Sequence, residues 1–316
     1  MQNQKMKRVA ITGIAGYIGG LLLSRLGEIE AVERIVGIDT VRPKGNSPKL
    51  RFYCQDILKP LTNIFVENAV DSAIHLVFVV KPTHDTMRAQ QINIGGTLNF
   101  LEACRQAQVK QILYLSSHTV YGAHPGNTEP FKEDSSLNPL PGFQYSRDKA
   151  EVERILSDFA GSHRDICITN LRSCPVIGPN AANSVATLMF RPIMLRIAGY
   201  DPPMQFLHED DLVKLITTLL IRGKAGTFNV AGEGEVCYSE IASLAKRKTR
   251  TLPERLLRFL MGFSWALHLQ SESPPSGLEF IKYPPIVSTE KIKKEIGFQF
   301  SYSSRDAIVS FVSTRR

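Results

Sequence analysis

The fold of this chain is decided near its start by the stretch Arg8-Val9-Ala10-Ile11-Thr12-Gly13-Ile14-Ala15-Gly16-Tyr17-Ile18-Gly19. Its first residues are mostly apolar and β-branched, and the run is too short for a helix, so they predict a buried parallel strand. A turn and then a helix over 18–26 are predicted to follow. Gly13 suits the tight turn, Gly16 lets the backbone approach a phosphate, and Gly19 lets the helix pack closely on the sheet.

The start of this predicted helix favours binding of a dinucleotide pyrophosphate, because helix N-termini attract anions. The glycines follow the pattern Gly-x-x-Gly-x-x-Gly rather than the commoner Gly-x-Gly-x-x-Gly, so the interpretation needs support from the next segments. A second apolar strand, 35–38, leads into Asp39, about 20 residues beyond Gly19, where an acidic side chain binds a ribose 2′-hydroxyl. Asp39 therefore favours NAD. Arg42 and Lys44 leave NADP open, because a cation there can accept a 2′-phosphate.

Tyr145 and Lys149 form a second motif in the middle of the chain. Apolar residues recur at helical spacing over 145–159, so both side chains are predicted to lie on one face of a helix. A free tyrosine, with a pKa of about 10, is a poor base at neutral pH, but an adjacent ammonium and an oxidised nicotinamide favour its phenolate. Tyr145 is thus the predicted acid/base, and Lys149 is the group that tunes it.

Two serines follow another predicted strand. The apolar run 111–115 reads as a buried strand and leads into Ser116 and Ser117. The carboxyl ends of strands are where open α/β sheets bind ligands. A serine hydroxyl at this place can hydrogen-bond the reacting oxygen of a substrate.

With these motifs the chain resembles the extended branch of the short-chain dehydrogenase/reductase superfamily, the NAD-dependent epimerase/dehydratase family. Four further segments match its signatures: Cys54-Gln55-Asp56-Ile57, Ala73-Ile74-His75-Leu76, Asn93-Ile94-Gly95-Gly96-Thr97 and Val120-Tyr121-Gly122. The resemblance covers most of the chain and implies a homodimer formed through the helix that carries Tyr145. It also implies that the cofactor is held by Gly13, Gly16, Tyr17, Ile18, Gly19, Asp39, Asp56, Ile57, Leu76, Tyr145 and Lys149.

The resemblance implies catalytic roles for three residues. Tyr145 would be the general base and acid, Lys149 would hold the nicotinamide ribose and lower the pKa of the tyrosine, and Ser117 would bind the substrate oxygen. Ser117 is preferred to Ser116 because the active hydroxyl in family sequences is followed by two residues and then Val-Tyr-Gly; Ser116 is the fallback. No metal site is expected, since the histidines and cysteines lack metal-ligand spacing.

Some positions depart from the pattern of nucleotide-sugar enzymes. Pro175 and Met204 stand where many such members carry Asn and Arg, which contact the phosphates of the substrate. His118 and Thr119 stand where the sugar 4,6-dehydratases carry Asp-Glu, so elimination of water lacks its catalysts. What remains is reversible hydride transfer at a secondary alcohol or ketone of a small molecule.

Three functions stay open at this point. A nucleotide-sugar epimerase agrees with the overall family pattern, while a ketone or lipid-alcohol dehydrogenase/reductase agrees with the missing phosphate contacts. A non-catalytic NAD(P)-sensing binding protein is the alternative from another class. Because Ser117, Tyr145 and Lys149 are all present, an enzyme is favoured.

Predicted strands and helices alternate from Val9 to about Arg172, which indicates an α/β fold: a Rossmann-type doubly wound parallel sheet with helices on both faces. The composition shifts after Gly178-Pro179. Residues 1–178 are therefore predicted to form the NAD(P)-binding domain, and 179–316 mostly a smaller substrate-binding lobe built from short helices. A strand near 227–231 is predicted to return to the main sheet.

The composition of the 316-residue chain fits a soluble globular protein, with 43% hydrophobic residues. Five scattered cysteines without C-x-x-C spacing suit a reducing compartment, so a cytoplasmic location is expected, without a signal peptide or a membrane span. The net charge is +8, yet basic residues are spread along the chain apart from the cluster 246–250. Without a nucleic-acid motif, we expect no nucleic-acid partner.

The segment Leu252-Pro253-Glu254-Arg255-Leu256-Leu257-Arg258-Phe259-Leu260-Met261-Gly262-Phe263-Ser264-Trp265 is apolar with basic residues between, and it contains the only tryptophan. Its ordinary interpretation is a helix that packs on the core or forms a lid. The alternative is an interfacial helix that admits a lipophilic substrate or touches a membrane surface.

Overall fold

The structure is a computed structural model and describes residues 6–127, 129–183, 186–187, 191–270 and 272–314. In chain order, its strands are β1 (Lys7–Thr12), β2 (Val32–Asp39), β3 (Leu50–Cys54), β4 (Ser72–His75), β5 (Gln111–Ser117), β6 (Cys167–Ser173), β7 (Val176–Ile177), β8 (Ile193–Ile197), β9 (Pro203–Met204), β10 (Leu207–His208), β11 (Gly226–Val230), β12 (Val236–Cys237) and β13 (Lys248–Leu252). Its helices are α1 (Tyr17–Glu28), α2 (Thr62–Glu67), α3 (Thr86–Gln90), α4 (Gly96–Gln106), α5 (Gln144–Ser162), α6 (Glu209–Arg222), α7 (Tyr238–Leu244), α8 (Glu254–Ala266), α9 (Glu279–Lys282), α10 (Glu290–Ile296) and α11 (Ser304–Ser313). A π-helical turn spans Gln91–Gly95, and 3₁₀ turns span His118–Tyr121 and Pro275–Leu278.

A parallel sheet of seven strands forms the centre of the molecule, in the order β3-β2-β1-β4-β5-β6-β11. Each neighbouring pair runs parallel. The chain moves outward in one direction from β1 to β3 and in the other from β4 onward, so the switch point lies between β1 and β4. This is the predicted Rossmann-type doubly wound sheet, and the fold class is confirmed.

Helices cover both faces of the sheet, because its strands are apolar on both sides. On one face, α1 and α6 share a core with β1, whose members include Val9, Ile11, Leu22, Leu26, Leu212 and Ile216. On the other face, α2, α4 and α5 share a second core, whose members include Ala10, Phe65, Phe100, Leu101 and Val152. The alternation of Val9, Ala10 and Ile11 between these two cores follows from the period of two along a strand.

The smaller lobe contains strands as well as helices. β8 and β13 form a parallel ribbon, β9 pairs antiparallel with β12, and β10 pairs parallel with β7. The prediction of short helices alone is wrong for these segments. Strands of two residues are too short to show an alternating pattern, and β8 finds its partner only through the tertiary fold. The domain boundary at residue 178 stays a prediction.

A buried carboxylate connects the glycine loop with the start of α6. Glu209 accepts hydrogen bonds from the Tyr17 hydroxyl and from the side-chain amide of Asn180, the latter at 2.6 Å. The Asn180 backbone amide also donates to it at 3.2 Å. A side chain at Gly178 would overlap with Glu209, so glycine is needed where the chain passes this carboxylate.

Helix α1 lies against the glycine loop at a distance that leaves no room for a side chain at Gly19. A Cβ at this position would lie 2.7 Å from the Ile14 Cα and would also overlap with the Gly13 carbonyl oxygen. The turn itself is held by two backbone hydrogen bonds, from Gly13 N to Ile38 O at 2.9 Å and from Gly16 N to Gly13 O at 3.1 Å.

This packing predicts opposite effects for two neighbouring glycines of α1. Gly19→Ala is expected to lower the free energy of unfolding by about 3 kcal/mol, since the loop must shift to admit a methyl group. Gly20→Ala is the matched control, because a Cβ there meets nothing within 4 Å; it is expected to stabilise the helix by up to about 1 kcal/mol. Urea denaturation measures both, and equal stabilities of the two variants would contradict the close approach.

Candidate active site

The carboxyl ends of β1, β4 and β5 lie side by side at one edge of the parallel sheet. The glycine loop follows β1, Leu76 follows β4, and Ser117 ends β5. Helix α5 is fixed to this edge by Lys149, whose Nζ donates to the Leu115 carbonyl at 2.7 Å. The structure thus brings residues from four distant parts of the sequence to one edge.

The glycine loop forms an open cradle at the start of α1. Gly13 has a φ of +78°, which L side chains rarely adopt, and a Cβ there would lie 3.0 Å from the Val77 amide nitrogen. A Cβ at Gly16 would lie 3.2 Å from the Gly13 carbonyl oxygen. Gly16 precedes α1 without a side-chain cap, so the amides of the first helical turn point into the cradle. A pyrophosphate fits such a cradle, because helix amides attract anions.

Tyr17 and Ile18 are the first residues of α1, next to the cradle. Asp39, at the end of β2, lies beside the loop: its Oδ2 accepts from the Ala15 amide at 3.0 Å, and its Oδ1 accepts from the Thr40 amide at 2.8 Å. The Val41 amide also donates to Oδ1, at 3.4 Å. These bonds fix the carboxylate, and Oδ2 keeps a lone pair with which to accept from a ribose hydroxyl.

Three further predicted cofactor residues occupy different settings. Leu76 directly flanks the cradle, with its amide donating to the Thr12 carbonyl at 3.2 Å. Asp56 accepts from the Leu58 amide at 2.9 Å and pairs with Arg88 at 3.5 Å. Ile57 is buried in the core, where it faces Gly96 of α4. A role near the adenine for Asp56 and Ile57 stays a prediction.

The Tyr145 hydroxyl and the Ser117 hydroxyl are hydrogen-bonded to each other. The Tyr145 ring packs edge-on against Phe78, with ring centroids 5.5 Å apart. Burial raises the pKa of Tyr145 to about 12, and the bond with Ser117 opposes that rise. Tyr145 therefore holds its proton at neutral pH, so the structure presents a phenol that can donate a proton to a carbonyl oxygen.

Lys149 lies buried beneath Tyr145 among aromatic rings. Its ammonium is 3.8 Å from the centre of the Phe78 ring and 4.6 Å from that of Tyr114. Burial lowers the pKa of Lys149 from 10.5 to about 7, and the nearby carboxylate of Glu153 opposes the shift. The lysine thus gains or loses its proton near neutral pH.

The two candidate serines have different partners. Ser116 donates to the buried carboxylate of Glu153 at 2.5 Å, and Glu153 forms a buried ion pair with Arg172 at 2.7 Å. Ser117 instead contacts Tyr145 and accepts from the Thr119 hydroxyl at 3.0 Å. Ser116 therefore belongs to a structural network, whereas Ser117 is the serine beside Tyr145.

A π-helical turn links the loop after β4 with α5. Asn93, in the middle of this turn, accepts from the Val79 amide at 2.7 Å and donates to Asp148 at 2.9 Å. Burial raises the pKa of Asp148, and its hydrogen bond from Asn93 opposes that rise. Because Asp148 immediately precedes Lys149, Asn93 positions the helix that carries the acid/base pair.

The motifs do not indicate the aromatic and apolar residues that surround Tyr145 and Lys149. Phe78 packs on both Tyr145 and Lys149. A cavity of about 140 Å³ opens beside Tyr145, with Val79, Phe143 and Trp265 among its walls. Phe78 and Val79 could have been found from the sequence, because the apolar run continues past β4 at the edge of the sheet where ligands bind. Trp265 comes from a helix far along the chain, and the sequence gives no sign of this contact.

The histidines near the site are buried and neutral. His75 lies between the hydroxyls of Thr12, at 2.7 Å, and Thr97, at 3.0 Å, and burial lowers its pKa to about 3. Burial also lowers the pKa of His118, to about 4. Neither residue carries charge at neutral pH. Among the residues that the structure describes, no group of three or more His, Cys, Asp or Glu side chains is arranged to hold a metal ion.

A doubly wound sheet with a glycine cradle at its switch point and a Tyr-x-x-x-Lys pair beside it defines the extended short-chain dehydrogenase/reductase class. The chain belongs to the NAD dependent epimerase/dehydratase family, whose family model matches residues 9–231. An uncharacterized protein of Mycobacterium tuberculosis (strain H37Rv) is 25% identical to it, over 99% of this chain and 85% of the relative.

Solved structures of the family superpose over nearly the whole chain. The UDP-glucose 4-epimerase of Thermotoga maritima, solved with UDP-glucose, has a TM-score of 0.79 at 20% identity and covers 98% of both chains. The UDP-glucuronic acid 4-epimerase of Bacillus cereus, solved with UDP-glucuronic acid and NAD, has a TM-score of 0.76 at 19% identity, over 97% of this chain and 98% of that one. At this identity the likeness concerns the fold.

The lowered pKa of Lys149 predicts a pH-dependent cost to stability. Below its folded-state pKa of about 7, the folded protein buries a charge that water solvates in the unfolded chain. This destabilisation is greatest there and disappears as the pH rises toward the unfolded-state value of 10.5. Lys149→Met removes it, so the variant is expected to gain more in Tm at about pH 6 than at about pH 9.

Thermal melts monitored by circular dichroism measure this difference. The control is Lys59→Met, which removes a charge from an exposed side chain and is expected to change Tm little at either pH. A Lys149→Met gain that is the same at both values would contradict a buried, titrating ammonium.

Proposed function

We propose that this chain is an NAD-dependent oxidoreductase that transfers a hydride reversibly at a secondary alcohol or ketone of a small molecule. The observation that carries the proposal is the contact between Ser117 and Tyr145, with Lys149 buried beside them, at the edge of the sheet that holds the glycine cradle. A proton donor and a second hydroxyl converge there on one place that a substrate oxygen can occupy.

NAD is the proposed cofactor. Gly13, Gly16 and the start of α1 would hold its pyrophosphate, and Asp39 would accept from a ribose hydroxyl. The cofactor supplies or accepts the hydride when bound. The structure of the Bacillus cereus UDP-glucuronic acid 4-epimerase contains NAD, which supports the same assignment in this chain.

The residues of the chain move the proton that accompanies the hydride. In the reducing direction, the Tyr145 phenol donates its proton to the substrate oxygen, and Ser117 holds that oxygen by a hydrogen bond. In the oxidising direction, the Tyr145 phenolate accepts the proton of the alcohol. With its pKa raised to about 12, Tyr145 needs added positive charge to act as a base, and the Lys149 ammonium lies 5.9 Å from its ring centre.

Two substrate classes have support. The solved relatives were crystallised with UDP-sugars, which favours a nucleotide-sugar epimerase. The walls of the cavity beside Tyr145 have a polar part, which includes Lys81 and Arg147, and an apolar part, formed by Val79, Val80, Pro82, Phe143 and Trp265. The apolar part favours a lipophilic ketone or alcohol. Pro175 and Met204, in place of polar groups, support the second class.

Tyr145→Phe tests the acid/base assignment. Removal of the hydroxyl is expected to lower kcat by about 100-fold or more, with the affinity for NAD nearly unchanged. Purified protein is incubated with NAD and UDP-sugars, and with NADH and hydrophobic ketones; the products are identified by NMR, and NADH is followed by absorbance. Full activity of the variant would overturn the assignment, and absence of turnover together with intact cofactor binding would favour an NAD-sensing protein.

The two serines provide a matched pair of substitutions. Ser117→Ala is expected to lower kcat by about 100-fold through loss of a hydrogen bond to the reacting oxygen, with little change in Tm. Ser116→Ala leaves the buried Glu153 carboxylate without its hydroxyl partner, so it is expected to cost about 1 to 3 kcal/mol of stability and to retain activity. The reverse pattern would show that Ser116 is the active hydroxyl.

Asp39→Ala tests the cofactor preference. Loss of a charge-assisted hydrogen bond is expected to weaken NADH binding by about ten-fold or more. Binding of NADPH is expected to improve, because Arg42 and Lys44 then face the 2′-phosphate without an opposing carboxylate. Fluorescence titration with both reduced cofactors measures the ratio of affinities, and Arg42→Ala is the control for the phosphate contact. An unchanged ratio would contradict the role of Asp39.

Three further features stay predictions. The family resemblance predicts a homodimer that pairs through α5, and the cysteine usage predicts a cytoplasmic location. The smaller lobe beyond residue 178 is predicted to determine which substrate is bound.

A further inference from the structure

Helix α8 turns its apolar face toward solvent. Residues three and four apart lie on one side of a helix, within roughly a third of its circumference. The exposed apolar side chains of this face, with their exposed fractions, are Leu256 (43%), Phe259 (66%), Leu260 (47%), Phe263 (54%) and Leu267 (55%), the last just beyond the helix end. Such a contiguous exposed patch marks a surface that binds another molecule.

The opposite side of α8 is held to the protein by ion pairs and by a small apolar cluster that contains Leu257, Leu278 and Ile197. Glu254 binds Arg258 at 2.7 Å and Lys282 at 3.0 Å, and Arg258 also binds Glu279 at 2.5 Å. Leu257 is the buried residue of the helix. The helix therefore carries apolar side chains on both sides, and packing on the core accounts only for the inner side.

Cationic residues surround this face. Between residues 246 and 258 the sequence contains six cationic residues and one acidic residue, Glu254, which is engaged in the pairs just described. Strand β13 leads into α8 and exposes Lys248 and Arg250. In the parallel ribbon these two residues stand opposite Ile193 and Leu195 of β8, which are also exposed.

We infer that α8 and the β8–β13 ribbon dock on the surface of an anionic lipid bilayer, with the helix lying parallel to the membrane plane. Phe259 and Phe263 would enter the boundary between headgroups and acyl chains, and Lys248, Arg250 and Arg255 would contact anionic headgroups. A helix of 13 residues is too short to span a bilayer. In the described part of the chain, no helix combines the length and the apolar character that a membrane span requires.

Charge complementarity selects lipid over a second copy of this chain. A two-fold interface through this face would bring the same basic residues against each other. An anionic bilayer offers both an apolar interior for the phenyl rings and negative charge for the cations.

The same helix also forms part of the cavity wall beside Tyr145. Trp265 lines that cavity, and it stacks on His84 with ring centroids 3.9 Å apart. Docking of the outer face would hold this wall about one helix diameter, roughly 10 Å, from the lipid. The docking itself does not depend on the proposed reaction, so it is tested without substrate.

Vesicle binding by the full chain tests the inference. Purified protein is sedimented with vesicles of phosphatidylcholine containing phosphatidylglycerol, and with phosphatidylcholine alone. Binding to the anionic vesicles is expected, with a much weaker signal for the neutral ones. Failure of the protein to sediment with anionic vesicles would overturn the inference.

Two double variants locate the contact. Phe259→Glu/Phe263→Glu is expected to lower vesicle partitioning by about 100-fold, since two rings no longer enter the lipid. Lys248→Glu/Arg250→Glu is expected to lower it by about ten-fold or more. The control, Val66→Glu/Val309→Glu, adds the same charge as the phenylalanine variant, at exposed apolar positions of α2 and α11. It is expected to lower partitioning far less than either of the two variants above.

Melting curves establish that each variant is folded before vesicles are added. Partitioning that both the α8 variant and the β13 variant retain would overturn the inference. A dimer detected by analytical ultracentrifugation that dissociates in Phe259→Glu/Phe263→Glu would also overturn it, because a second copy would then cover the face.

Discussion

The candidate site depends on the contact between α1 and the glycine loop, where the backbone at Gly19 lies against Gly13 and Ile14. This approach is possible only without a side chain. It fixes the direction of α1 and points the amides of its first turn to the switch point of the sheet. The loop in turn lies against the Val77 amide, just past β4. The geometry of the cradle and of the segment that leads to Phe78 therefore depends on one backbone contact.

The fold could be predicted from the sequence because its main elements leave strong local signals. The run from Val9 to Thr12 is buried on both sides, and α5 begins one residue before the predicted start at Tyr145. The strands β7, β9, β10 and β12 leave no such signal, since two residues carry no period. The parallel pairing of β8 with β13 was not predicted for a different reason: it is a product of tertiary packing.

The site was predicted less completely than the fold. The pairing of Ser117 with Tyr145 agrees with the motif spacing, but the engagement of Ser116 depends on residues far along the chain. Glu153, which accepts from Ser116, lies 37 positions after it, and Arg172, which pairs with Glu153, lies a further 19 positions on. The buried surroundings of Tyr145 and Lys149 also act against the charged forms that the motif predicts for them. Burial raises the pKa of Tyr145 and lowers that of Lys149, so this pocket favours neutral forms of both groups. A motif identifies the groups, whereas the surrounding dielectric determines their protonation.

The π-helical turn at Gln91–Gly95 joins α3 to α4 without a break, and it limits the changes in length that this continuous helix can accept. Such a turn holds one residue more than an α-helix would in the same space. Deletion of a single residue there would restore regular helix geometry, but it would rotate the preceding residues by about 100° relative to α4. Asn93 would then no longer face both Val79 and Asp148. The extra residue thus sets the phase between two halves of one helix, and the alignment of α5 with the sheet depends on that phase.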